Sequence, residues 1–116
     1  MSDRSQVTVE LDVFSGRPNP TWSLEQPERD VLLQLLRARN AEARARWEPP
    51  GLGYRGFVLH IASDGKVEVV RVGGGTIEAG ATVRIDRDRA VEAHLLRTMP
   101  AELRTQFLSL LPQIPT

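Results

Sequence analysis

Residues 57–72 read FVLHIASDGKVEVVRV, two runs rich in strand-forming residues with an Asp-Gly pair between them. Such a pair, flanked by alternating apolar residues, is typical of a two-residue hairpin turn. A turn of this length also determines the register of the two strands. It predicts that His60 lies opposite Val69 on one face and that Leu59 lies opposite Val70 on the other. The stretch therefore predicts an antiparallel β-hairpin.

The strands outside the hairpin are predicted from the alternation of apolar and polar residues. The first strand is predicted over residues 7–14, where Val7, Val9, Leu11 and Val13 alternate with Thr8, Glu10, Asp12 and Phe14. This is the period of a strand with one buried face. Shorter patterns predict a second strand at residues 21–24, paired with the first, and a further strand at residues 81–85. They also leave open a strand at residues 76–79. With the hairpin, this amounts to a sheet of about three to five strands.

Three helices are predicted from proline and capping chemistry. Pro27 is suited to the first helical position, where its missing N–H is not needed, so the first helix runs over residues 27–45. Asp86 or Asp88 can cap a second helix, and Pro100 begins a third. Strands followed by helices in this order predict an α+β fold, with an antiparallel or mixed sheet and the three helices mainly on one face.

Composition limits the possible partners and cofactors. The 116 residues fit one domain, 1–116, whose residues 1–6 are predicted to form a flexible N-terminus. Fifteen basic residues balance fifteen acidic ones, which disfavours nucleic acid or an anionic membrane as a partner. The chain has no cysteine and only two separate histidines, so no metal and no cofactor is predicted. Neither a secretory signal nor an apolar run of about 20 residues is present, which predicts a cytoplasmic location.

Two patterns that resemble catalytic motifs have simpler interpretations. Residues 51–56, GLGYRG, match the spacing of a dinucleotide-binding loop, but here a loop leads into a strand rather than a strand into a helix. A tight turn is therefore favoured. Glu10, Asp12 and His60 could meet on neighbouring strands, which leaves a small enzyme with acid-base residues on the sheet as an alternative.

The most informative segment is LDVFSGRPNPTWSL, residues 11–24, which is stiffened by two prolines. Antiparallel pairing of the strands on either side would bring it beside the loop before residue 57. We predict a ligand-binding surface formed by Arg17, Asn19, Trp22, Tyr54 and Arg55, suited to a protein segment or a small anionic ligand. One alternative is that Trp22 packs in the core and the prolines only direct the chain into the first helix. Another is that the two arginines bind loop carbonyls and lock the turns together.

These two loops, with the sequences FSGRPNPTW and GLGYRGF, resemble small bacterial and fungal proteins of unknown function that share a Phe/Tyr-Ser-Gly-Arg-Pro-Asn-Pro-x-Trp segment. The resemblance covers these loops only. It implies a shared fold, and it carries over no activity, ligand or catalytic residue.

Three functions are consistent with the sequence. The first is a non-catalytic binding module that uses the two loops. The second is a self-associating or accessory subunit, such as a homodimer, that uses a sheet face bearing Val58, His60, Val67 and Val69. The third is the small enzyme described above, which we rank below the other two.

Overall fold

The structure is a computed structural model that describes residues 5–14, 16–38 and 53–113. Within these residues it contains six strands and three α-helices. The strands are β1 (Gln6–Leu11), β2 (Thr21–Ser23), β3 (Phe57–Ser63), β4 (Lys66–Gly73), β5 (Thr76–Ala79) and β6 (Thr82–Ile85). The helices are α1 (Gln26–Arg37), α2 (Ala90–Thr98) and α3 (Ala101–Gln106), and a short 3-10 turn, Arg87–Arg89, precedes α2.

All six strands belong to one sheet in the order β2-β1-β3-β4-β5-β6, and every neighbouring pair is antiparallel. The predicted α+β class is confirmed. The strand number exceeds the predicted three to five because β5 forms a second tight hairpin with β6. A strand of four residues between two glycine turns is too short to show a clear alternation in the sequence.

The central hairpin has the predicted register, with His60 opposite Val69 and Leu59 opposite Val70. Asp64 and Gly65 have φ values of 53° and 78°. Two consecutive positive φ values are typical of a type I′ turn, whose twist matches that of the strands it joins. The local Asp-Gly signal therefore determines the pairing of β3 with β4.

The helices begin close to where the sequence predicts. Pro27 lies in the first turn of α1, and the predicted residues 39–45 of this helix lie outside the described residues. Asp86, rather than Asp88, caps α2, because its carboxylate accepts hydrogen bonds from the N–H groups of Val91 and Glu92 at 2.9 and 3.1 Å. None of the helices described is long and apolar enough to cross a membrane.

The core lies between the helices and one face of the sheet. Buried residues of the strands, including Leu11, Phe57 and Leu59, form one cluster with Leu32 of α1 and Leu95 of α2. The alternate strand residues lie on the opposite face. We call this second face the open face, and it is defined by Glu10, Val58, His60, Val69 and Arg71.

Candidate functional site

The two loops predicted to carry the site lie side by side. The N–H of Asp12 donates to the carbonyl of Gly56 at 3.0 Å, and the N–H of Arg55 donates to the carbonyl of Asp12 at 2.8 Å. These bonds extend the β1–β3 ladder beyond the ends of the strands. Antiparallel pairing of β1 with β3 therefore produces the juxtaposition that the sequence predicts.

Arg55 connects the two loops through its side chain. Its guanidinium forms an ion pair with the carboxylate of Asp12 at 2.9 Å and donates to the carbonyl of Phe14 at 2.7 Å. The same terminal nitrogen, Nη2, thus donates to both the carboxylate and the loop carbonyl. This is the locking role that we considered as the alternative to ligand binding.

Asn19 holds the first loop in shape from within. Its side-chain oxygen accepts hydrogen bonds from the N–H groups of Val13 and Phe14 at 3.1 and 2.7 Å. Its amide nitrogen donates to the carboxylates of Glu10 at 2.8 Å and Asp12 at 3.4 Å. All of its hydrogen-bonding groups are therefore engaged by its own loop and strand, as is common for asparagine in turns.

Arg17 differs from the other predicted residues because its polar atoms remain available. Its guanidinium carbon lies 3.7 Å from the centroid of the Phe14 ring, and the residue is exposed. The Phe14 ring in turn contacts Phe107 edge to face, with 5.6 Å between the centroids. No hydrogen bond or ion pair joins Arg17 to another residue in the part of the chain that the structure describes. A cation held flat on a ring keeps its planar donors directed outward.

Trp22 and Tyr54 lie in the core, with exposed fractions of 9% and 7%. The indole N–H of Trp22 donates to the Thr98 hydroxyl at 3.3 Å, and the phenol of Tyr54 donates to the Glu92 carboxylate. Both rings also contact Phe57 edge to face. The structure therefore does not bring the five predicted residues onto one surface, because these two point into the helical layer.

A cluster of hydrogen-bonded side chains around Glu92 was not predicted from the sequence. This carboxylate is fully buried and accepts hydrogen bonds from the Tyr54 hydroxyl and from two nitrogens of Arg89, each at 2.9 Å. Burial, and then the charge of Glu92, raises the pKa of Tyr54 well above its usual value, so its hydroxyl stays protonated. The hydrogen bonds that Arg89 donates to the Glu92 carboxylate raise the pKa of Arg89. The spacing of Arg89 and Glu92 by three residues was the available sequence signal.

The backbone at this cluster is unusual. Asp88 and Arg89 have φ values of 58° and 53°, in the left-handed region that non-glycine residues rarely adopt. Such a conformation persists only where the surroundings hold it in place. The two hydrogen bonds from Arg89 to buried Glu92 and the Asp86 cap provide that hold.

On the open face, a carboxylate oxygen of Glu10 and the ring nitrogen Nε2 of His60 are in hydrogen-bond contact at 3.0 Å. Asn19 and then His60 hold the pKa of Glu10 below its usual value. A continuous set of contacts, which we call the polar network, joins His60, Glu10, Asn19, Asp12 and Arg55. The predicted meeting of Glu10, Asp12 and His60 is thus found, with Asp12 joined through Asn19. A carboxylate-bound imidazole can exchange a proton, but here it lies half-exposed on a sheet face.

The described residues contain no group of three or more His, Cys, Asp or Glu side chains placed to hold a metal ion. Comparison with protein-family models, curated proteins and solved structures gave no significant match. The resemblance of the two loops to small bacterial and fungal proteins therefore stays a prediction.

Proposed function

We propose that this protein is a small, non-catalytic binding module that recognises an anionic group on a protein segment or a small ligand, with Arg17 as the principal contact. The observation that carries the proposal is the exposed guanidinium of Arg17, stacked on Phe14 and free of internal hydrogen bonds. Its planar pairs of N–H donors match the oxygens of a carboxylate or phosphate.

The surrounding residues support this role by keeping the loop rigid. Asn19 and Arg55 hold the backbone around Phe14, and Trp22 and Tyr54 anchor the two loops to the core. A rigid loop loses little conformational entropy on binding, which favours affinity. In this proposal Arg17 contacts the ligand, and the other four predicted residues hold in place the loop that carries Arg17.

Two arginine variants separate binding from structure. Arg17→Ala removes an exposed side chain, so we expect a urea midpoint within error of wild type and loss of binding to an immobilised set of acidic peptides or to inorganic phosphate. Arg55→Ala removes the ion pair to Asp12 and the hydrogen bond to Phe14, so we expect the free energy of unfolding to fall by about 1 to 2 kcal/mol and the urea midpoint to fall with it. Unchanged binding by Arg17→Ala, or no binding of either probe by wild type, would refute the proposal.

A second candidate is self-association through the open face. Val67 and Val69 of β4 are 66% and 47% exposed, and Val58 lies beside them. Arg71 lies next to Glu78 of β5 in the same row of the sheet. A second copy rotated by 180° could place these opposite charges against each other while it covers the valines. In this second candidate function, the open face is covered by a second copy of this chain.

Sedimentation equilibrium tests this candidate directly. We expect wild type to dimerise with increasing concentration and Val69→Glu to remain monomeric with unchanged thermal stability, because residue 69 is exposed in the monomer. As a control, Val31→Glu changes an exposed valine on α1, away from the open face. A wild-type protein that is monomeric at millimolar concentration would exclude the dimer.

A further inference from the structure

A cavity of about 290 Å³ lies between α1 and the helix-covered face of the sheet. It is at the opposite end of the sheet from the two loops, because Ser5 before β1 and Ser63 at the end of β3 both line it. Its walls are largely apolar and include Leu33, Leu36, Ile61, Val70, Ile77 and Ala79. A cavity of this size is at the lower end of the range for small-molecule sites.

Arg84 of β6 provides a polar group in this apolar wall. One terminal nitrogen of its guanidinium donates to the carbonyl of Leu36 near the end of α1, at 3.1 Å. Its Nε is buried and has no hydrogen-bond partner. The guanidinium therefore brings a positive charge to the cavity wall, and its bond to Leu36 uses only one of its five N–H donors.

The charge of the lining restricts the class of ligand. Arg37, Glu68 and Arg84 are its charged residues, so the net charge is +1. A ligand with one negative charge neutralises this lining, whereas a phosphate with about two negative charges would leave it with a net charge of about −1. The apolar walls favour a hydrocarbon body beside the charged group.

We propose that this cavity binds a small monocarboxylate with an apolar tail, whose carboxylate pairs with the guanidinium of Arg84. The tail packs against Leu36, Ile77 and Ala79. This site is separate from Arg17 and from the open face, so its existence does not depend on the function proposed above.

Titration of the protein with hexanoate, followed by backbone amide chemical shifts, tests the proposal. Hexanamide serves as the matched neutral ligand. Three variants are compared with wild type. Arg84→Met removes the donor while it preserves much of the side-chain volume, Ala79→Leu fills the cavity and leaves the arginine in place, and Arg71→Met is a control on the open face. The urea midpoint of each variant confirms that it folds.

We expect saturable shifts at Leu36, Ile77, Ala79 and Arg84 with hexanoate, at millimolar concentration for a ligand of this size. Binding should be about tenfold weaker or more for hexanamide, which lacks the negative charge, and for the Arg84→Met variant, which lacks the guanidinium. Ala79→Leu should abolish binding, and Arg71→Met should bind as wild type does.

Equal affinity for hexanoate and hexanamide would overturn the assigned role of Arg84. Shifts that do not saturate, or that cluster away from the cavity, would overturn the site itself. A folded Ala79→Leu variant that binds hexanoate as tightly as wild type does would also overturn the site, since the tail and the added side chain would need the same space.

Discussion

Substitution of Gly56 by alanine tests how closely the second loop must approach the sheet. Gly56 has a φ of 92°, and a Cβ at this position would overlap the carbonyl oxygen of Val72 and lie 3.1 Å from the Cα of Gly73. Both neighbours are backbone atoms of β4, a strand inside the sheet, so neither can rotate away as a flexible side chain would. The substitution therefore combines conformational strain with a steric clash.

The two contributions can be separated with a matched glycine. Gly75 has a φ of 87°, but a Cβ there would meet no atom within 4 Å. We expect Gly75→Ala to lower the free energy of unfolding by about 1 kcal/mol, because alanine is strained at a positive φ. Gly56→Ala should cost about 3 kcal/mol, because the forced displacement of packed atoms adds about 2 kcal/mol.

Urea unfolding followed by far-ultraviolet circular dichroism measures both effects. With an m-value of about 2 kcal/mol/M, the midpoint should fall by about 0.5 M for Gly75→Ala and by about 1.5 M for Gly56→Ala. Equal midpoints for the two variants would refute the proposed clash with Val72. A Gly56→Ala protein as stable as wild type would show that the close approach of the loop to β4 is not required.

Three further changes test other parts of the structure. Gly65→Val should lower the free energy of unfolding by about 1 kcal/mol or more, because a β-branched residue resists the positive φ of the turn, and an unchanged urea midpoint would contradict the turn assignment. Glu92→Ala should lower the free energy of unfolding in urea by about 3 kcal/mol, since it leaves the buried hydroxyl of Tyr54 without its acceptor. Tyr54→Phe should lower it by about 1 kcal/mol. Equal losses for the two variants would contradict this prediction. The pKa of Glu10 is lowered from its ordinary value of 4.5, so this carboxylate stabilises the fold at pH values above 4.5, and the stabilisation is lost as the pH falls through the folded-state pKa. The free energy of unfolding of Glu10→Gln should therefore fall less than that of wild type between neutral pH and about pH 3. Parallel falls for the two proteins would exclude this contribution.

The candidate site was only partly predictable from the sequence. The proximity of the two loops follows from antiparallel pairing of their strands, and the locking role of Arg55 was one of the two alternatives. Core packing of Trp22 was one of the alternatives for its segment, whereas the burial of Tyr54 was not predicted, and the partners Thr98 and Glu92 lie 76 and 38 residues away in the chain. The unpaired Nε of Arg84 depends in the same way on how α1 packs over the sheet.

The sequence by itself determined the features that depend on local chemistry. The Asp64-Gly65 turn sets the register of the central hairpin through two positive φ values, and Pro27 and Pro100 mark the beginnings of helices because proline lacks an N–H. These signals act over a few residues, so they can be recognised without knowledge of the fold.

Only the tertiary structure decided which polar groups remain available. Arg17 and Arg55 are similar in sequence terms, yet one lies exposed on an aromatic ring and the other is held by Asp12 and Phe14. Glu92 lies in a helix beside apolar neighbours, and its complete burial is tolerated because Tyr54 and Arg89 converge on it. Burial and pairing are sums over contacts from distant parts of the chain, and those contacts exist only after the helices have packed against the sheet.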